Sequence, residues 1–203
     1  MARTFPWLMG TLVAAVLVGL PWGYETYRQK HYRNFRTVTP GVLYRSGQMT
    51  LAGLDRVVHD YGIRTVVTLR DADMPGDPPP DRAEEAFCRK LAIKHVRIPP
   101  RRWESPVGGP APADESVRTF LAVMDDPANY PVLVHCFAGI HRTGAHVAVY
   151  RMEHDHWTNA EALDELRACG YRNLDDEWDV LGYLEQYRPR WWREALADGQ
   201  DEK

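Results

Sequence analysis

Three cysteines in 203 residues, Cys88, Cys136 and Cys169, are too few and too scattered for a disulfide framework. A basic excess is also missing: 25 Lys and Arg stand against 28 Asp and Glu, a net charge of −3, which lacks the footprint of a nucleic-acid binder. No internal repeat and no ligand-spaced His/Cys set is present. His135, His141 and His146 fall on a strand end, a loop and a helix, without the spacing of a zinc site. What is present is a 44% hydrophobic composition, enough for one compact domain with a core.

Charge is absent from one long stretch, residues 4–24, "TFPWLMGTLVAAVLVGLPWGY". A helix spans a bilayer core with roughly 20 apolar residues, and Trp7, Trp22 and Tyr24 sit near the ends of the run, where amphipathic rings favour an interface. A cleaved signal peptide and a buried core helix compete with a membrane anchor. The first lacks an A-x-A-like site and the second a polar face. The expectation is a single-pass transmembrane helix. Arg28, Lys30, Arg33 and Arg36 follow it, so the rest of the chain is expected on the cytoplasmic side. Three regions result: an anchor and basic linker over 1–36, a catalytic domain over 37–190 and a C-terminal tail over 191–203.

Beyond the linker, strand and helix patterns alternate. Residues 41–46, 63–69, 93–99 and 131–135 read as strands, rich in β-branched residues. Between them, Leu51, Leu54, Val57 and Val58 recur at helical spacing before Gly62, and residues 81–92 and 115–126 form amphipathic helices. A nearly all-apolar helix follows Gly144, and two more lie near 159–168 and 177–187. Such alternation implies an α/β fold: a mostly parallel central sheet flanked by helices. Trp191 and Trp192, just beyond the last helix, fit packing on the core better than contact with a membrane.

In such folds ligands bind where strands end and helices begin. The stretch "HCFAGIHRTG", His135 to Gly144, is such a junction. Backbone N–H groups between a buried strand and a helix N-terminus form a concave nest for a tetrahedral oxyanion. Arg142 adds a planar fork suited to phosphate, and the same positive surroundings lower the pKa of Cys136.

The same ten residues resemble the H-C-x5-R-[ST]-G loop of cysteine-dependent protein tyrosine and dual-specificity phosphatases. "LYRSGQ" (residues 43–48) and "PVLVHC" are similar to the atypical plant-, fungal- and bacterial-type dual-specificity group. The resemblance covers roughly residues 37–190. It implies a phosphocysteine mechanism without metal or other cofactor, acting on a phosphorylated protein or a small phosphorylated molecule. Cys136 is then the nucleophile and Arg142 the phosphoryl ligand. The amides of Phe137, Ala138, Gly139, Ile140, His141 and Arg142 line the loop. Thr143 hydrogen-bonds the departing sulfur, and His135 holds the loop and lowers the thiol pKa.

The leaving-group acid belongs on the loop 99–114, with two candidates. Asp114 matches by position an aspartate of plant and fungal relatives, although "PADES" also reads as a helix N-terminus. Glu104, in "WESP", loosely resembles the tryptophan-proline-aspartate loop of classical enzymes. Without a placed acid, aryl phosphates and phosphoanhydrides are favoured over alkyl esters. Arg45 is read as a structural donor outside the site. Phosphotyrosine, with possible extension to phosphoserine and phosphothreonine, is the expected substrate class. An inositol phosphate or pyrophosphate, a rhodanese-type sulfur transfer and a phosphate-binding pseudophosphatase are the alternatives.

Overall fold

Short runs rich in aliphatic and β-branched residues become strands here, and the three central ones bury both faces. The computed structural model describes residues 5–72 and 74–192, with side chains at Met9 and from residue 12 onward. Its strands are β1 (Arg36–Thr39), β2 (Leu43–Ser46), β3 (Thr65–Thr68), β4 (Lys94–Arg97) and β5 (Val132–His135). They form one sheet in the order β1-β2-β5-β3-β4. Only β1 is antiparallel to its neighbour, so the sheet is mostly parallel as expected. β1 itself was not anticipated: it is four residues long, begins with an arginine and is half exposed.

The helices are α1 (Phe5–His31), α2 (Leu51–Tyr61), α3 (Arg82–Lys90), α4 (Ala113–Met124), α5 (His141–His154), α6 (Asn159–Ala168) and α7 (Trp178–Gln186). Local chemistry sets several ends. Thr50 caps α2 by accepting from the Gly53 N–H, and Gly62 closes it at φ +65°, a conformation glycine adopts without strain. Thr158 and Glu161 form a reciprocal capping box on α6.

Alternation along the central strands distributes the core. Leu43, Val67, Val132 and Val134 face Phe120 and Met124 of α4 and Val147 of α5. Tyr44, Val66 and Leu133 face Leu54 and Val57 of α2 and Cys88 of α3. By the same two-residue period, His135 points with Leu133 toward α3. The carboxyl ends of β2, β3 and β5 lie flush, with Ser46 and Thr68 both paired with His135.

The expected membrane anchor is corrected. Among the described residues, no helix is long and apolar enough to cross a membrane. The described aliphatic run of α1, residues 12–20, ends at Pro21, and the helix continues through Glu25, Arg28 and Lys30. The single-pass placement, the membrane as partner and the cytoplasmic orientation drawn from it fall together. The far end of α1 packs on α2 instead: His31 Nδ1 lies 2.9 Å from Thr50 Oγ1. A Cβ on Gly53 would stand 1.9 Å from the His31 carbonyl oxygen.

At the other end, Trp191 donates to the Met152 carbonyl at 2.8 Å and stacks on His156, so it packs on the domain. The remainder of the 191–203 tail beyond Trp192 lies outside the described residues. Phe120 is fully buried between the sheet and α5. Phe120→Ala is expected to destabilise the fold by about 3–5 kcal/mol, the range for truncating a buried phenylalanine. Chemical denaturation monitored by far-UV circular dichroism measures it, and an unchanged midpoint would contradict this packing.

Candidate active site

The peptide following β5 turns sharply because a second loop lies directly against it. Gly139 has φ +75°, and a Cβ there would come within 2.3 Å of Gly47 N and 2.4 Å of Ser46 C. Gly47 is equally confined, since its Cβ would meet Ala138 O at 2.7 Å. Two backbones thus touch where no side chain fits.

The contact sorts the peptide dipoles of the loop. Gln48 N–H donates to Phe137 O at 2.9 Å, and Asn34 Nδ2 donates to Ala138 O at 2.9 Å. Arg45 donates to Gly139 O at 3.0 Å and to Ile140 O at 3.5 Å. Its guanidinium is buried at 3% exposure, so Arg45 is the structural donor expected of it, with the loop as its acceptor. Each carbonyl lies opposite the next N–H across a planar peptide, so partners outside the loop leave the N–H groups for the inside. The Gly139 N–H donates to Cys136 Sγ at 3.2 Å.

Burial alone would raise the pKa of Cys136. Hydrogen bonds from the Thr143 hydroxyl and amide and the Gly139 amide, together with the charge of His135, outweigh it and hold the thiol below its ordinary value. The Thr143 hydroxyl is buried and makes no other well-formed hydrogen bond, which leaves the sulfur as the acceptor it faces. His135 Nε2 lies 2.8 Å from Glu84 Oε1. Burial would neutralise the imidazole, but the Glu84 carboxylate raises its pKa. Glu84, despite burial, is held at about 2 by His135 and His95.

Arg142 stands in the first turn of α5, where Nη1 donates to Leu69 O at 3.4 Å. With His141 it lines a cavity of about 430 Å³ walled by Leu69, Pro100, Trp103 and Tyr171. His141 lies edge-on to Tyr171. Phe137 is 56% exposed beside this mouth, with Arg33 4.1 Å and Arg70 5.3 Å from its ring centre. Thr143 and the Gly139 amide therefore meet at the Cys136 sulfur, and Arg142 stands in the adjoining first turn of α5.

Asp114 does not join them in this conformation. It lies in the first turn of α4, accepts from the Tyr183 hydroxyl at 2.8 Å, and lines a neighbouring cavity of about 780 Å³ together with Glu104. The carboxylates lining the Arg142 cavity are Glu177 and Asp179.

His146 is buried, with Nδ1 2.9 Å from Arg142 O, and desolvation lowers its pKa to about 4. It supports the first turn of α5 as a neutral ring. Among the described residues, Asp81, Glu84 and His95 bring possible metal-ligand atoms within 4.8 Å of one another. Arg97 already binds Asp81 at 2.7 Å, and His135 and Gln48 bind Glu84. One free Asp81 oxygen is not a ligand set.

A family model described as "DSP-PTPase phosphatase fused to NAD+ Kinase" matches residues 26–179. The chain belongs to this phosphatase family. The dual specificity protein phosphatase TpbA of Pseudomonas aeruginosa is 36% identical over 70 residues, 34% of this chain and 32% of the relative. The crystal structure of TpbA in complex with pTyr matches with a TM-score of 0.60 at 22% identity, over 81% of this chain and 91% of that one. Inositol diphosphatase DSP5 of Arabidopsis thaliana is 29% identical over 110 residues, 50% of this chain and 53% of the relative. The catalytic domain of the PP-IP phosphatase SIW14 from S. cerevisiae, in complex with citrate, has a TM-score of 0.58 at 22% identity, covering 84% and 94% of the two chains. The aligned stretches span from about a tenth to about half of the curated relatives' length. The structural matches establish the fold.

Glu84, Asn34 and Gln48 were not anticipated as parts of this site. For Glu84 a signal existed: it stands four residues before Cys88, on the buried stripe of an amphipathic helix where a carboxylate needs a partner. The environments of the two buried thiols lead to a direct test. Cys136 is held below its ordinary pKa, whereas burial and the nearby Glu84 push Cys88 up to about 12. Iodoacetamide at pH 6.5 is expected to modify Cys136 and spare Cys88, as read by peptide mass mapping. Equal labelling would contradict the site's electrostatics.

Proposed function

We propose that this chain is a cysteine-dependent phosphatase that hydrolyses phosphotyrosine-type monoesters through a phosphocysteine intermediate. One observation carries the reading: the loop carbonyls of Phe137, Ala138 and Gly139 are bound from outside, and the thiol they surround has a lowered pKa.

In the proposed reaction Cys136 Sγ attacks phosphorus, and the phosphorus–oxygen bond to the leaving group breaks. The loop amides and the Arg142 fork stabilise the three equatorial oxygens. Water then attacks the phosphocysteine, the phosphorus–sulfur bond breaks, and the Thr143 hydroxyl donates to the returning thiolate. Two displacements replace one difficult hydrolysis.

Asp114 and Glu104 line the neighbouring cavity instead of the Arg142 cavity, so neither carboxylate is in place to protonate the leaving oxygen. The reading therefore favours leaving groups that need little protonation: phenolates and phosphates. A phosphoanhydride of an inositol polyphosphate is a second reading, supported by Arg33 and Arg70 at Phe137 and by the similarity to DSP5. Arg101, Arg102 and Arg142 stand in the cavity wall against Glu177 and Asp179, so its charge admits a polyanion as well.

The test is steady-state hydrolysis of p-nitrophenyl phosphate, a phosphotyrosine peptide, a phosphoserine peptide and an inositol pyrophosphate, with a chelator present. Cys136→Ser is expected to reduce turnover at least about a thousandfold, the loss typical of removing a nucleophile. Aryl esters are expected to exceed alkyl esters in kcat/KM by about a hundredfold or more, the worth of an absent general acid. Full activity in Cys136→Ser would overturn the proposal. Thiosulfate turnover in its place would make the chain a sulfurtransferase, and tight phosphate binding without turnover a pseudophosphatase.

A further inference from the structure

Glu84 touches neither the loop nor the cavity, yet it is a carboxylate at 4% exposure with both oxygens engaged. Oε1 lies 2.8 Å from His135 Nε2 of β5 and 3.2 Å from His95 Nε2 of β4. Oε2 accepts from Gln48 Nε2 at 2.9 Å, and Gln48 Oε1 in turn accepts from Arg70 at 2.9 Å. The other titratable neighbours are Asp81 at the N-cap of its helix and Glu85 and Cys88 on the helix, the thiol neutral. Arg97 of β4 neutralises Asp81 and Glu85 at 2.7 and 3.2 Å. No arginine or lysine binds Glu84 directly among the described residues, so the ring facing it from β5, His135, is its counter-ion.

The decisive geometry is around His135. Its Nε2 faces a carboxylate, and its Nδ1 faces the Cys136 carbonyl at 3.3 Å. Both groups only accept hydrogen bonds, so satisfying them requires a proton on each ring nitrogen. A neutral tautomer would leave one buried acceptor opposite a lone pair, a loss that a ring at 2% exposure has no solvent to repair.

We propose that Glu84 is a positioning residue for Cys136: it holds His135 as an oriented imidazolium, and that charge keeps the adjacent thiol ionised. The inference rests on the phosphatase reading only for the use to which the thiolate is put. Gln48 extends the arrangement, because its backbone N–H holds the Phe137 carbonyl while its side chain holds Glu84. The loop's shape and its charge thus share one residue.

The sign of the effect follows from order in space. Glu84 stands behind the imidazolium as seen from the sulfur. Removing its charge removes a distant repulsion of the thiolate. It also releases the His135 proton, because burial then drives the ring neutral, and the nearer attraction is lost. Glu84→Gln therefore raises the thiol pKa, and the acid limb of kcat/KM moves to higher pH with it.

The experiment measures the pH dependence of Cys136 alkylation in the full chain, for wild type, Glu84→Gln, His135→Gln and the double variant. The expected result is an upward shift of about one pH unit in Glu84→Gln, seen as roughly tenfold slower labelling at pH 6. In the His135→Gln background, Glu84→Gln is expected to change labelling less than about twofold, the non-additivity of residues acting through one another. Glu84→Asp is expected to restore most of the wild-type midpoint. A wild-type midpoint in Glu84→Gln, or an undiminished effect in the His135→Gln background, would overturn the proposal.

Nitrogen NMR of the wild-type imidazoles supplies a second readout that needs no variant. Both His135 nitrogens are expected to carry protons at pH 7, and a neutral tautomer there would overturn the proposal even where Glu84→Gln does not fold. Alkylation needs no phosphate ester. Shifted midpoints in a chain without phosphatase activity would uphold this inference and remove only the reading above.

Discussion

The site depends on one contact, the approach of the backbone at Gly47 to the backbone at Gly139. A Cβ on either glycine would fall inside 3 Å of the opposite main chain, so neither loop can hold its shape with any larger residue. That approach lets Gln48 reach the Phe137 carbonyl, and it sets the loop over Asn34 and Arg45. Anion affinity then arises as a consequence of packing. The carbonyls are satisfied on the outside, and the N–H ends of the same peptides are aimed inward. Lysines are not needed for it, and the loop "FAGIH" has none.

The parity of β5 divides labour between two faces. Val132 and Val134 lock the strand into the core beneath α4 and α5, while Leu133 and His135 face α2 and α3. A one-residue slip would exchange these sets and bring a valine to Glu84. The same period in β2 sends Arg45 toward α5 and α6, where its guanidinium lies close to Gly144 and Leu166. One sheet therefore delivers a loop-holding arginine from one face and a thiol-tuning histidine from the other. The thiol stands at the edge between them.

Much of this was legible in the order of residues, and the gaps have physical causes. The buried strand, the cysteine at its end and an arginine at the N-terminus of the next helix are local features, and the structure places Arg142 inside the first turn of that helix. α5 begins at His141 rather than after Gly144, because the loop itself supplies the first turn. The Glu84–His135 pair is separated by 51 residues, and only the sheet order reveals that α3 lies across from the end of β5. The partner of Asp114, Tyr183, is 69 residues away on α7, so no local pattern near "PADES" foretold that its carboxylate is engaged there. The uncharged run near the N-terminus invited a membrane reading. What the run did not display was that the helix continues past it through three charged residues and docks at His31 on α2.

Around the thiol the protein keeps buried polar groups. Ser46 and Thr68 flank His135 in adjacent strands with their hydroxyls buried, and the buried Thr143 hydroxyl faces the sulfur. A buried donor left without a partner costs about 1–3 kcal/mol, which gives such a hydroxyl reason to hold any acceptor that reaches it. The thiolate and a bound phosphoryl group are strong acceptors, and donors already desolvated beside them need no reorganisation to respond. The Thr143 hydroxyl and the Gly139 amide, buried at the sulfur, are thus already in place for negative charge that develops at Cys136.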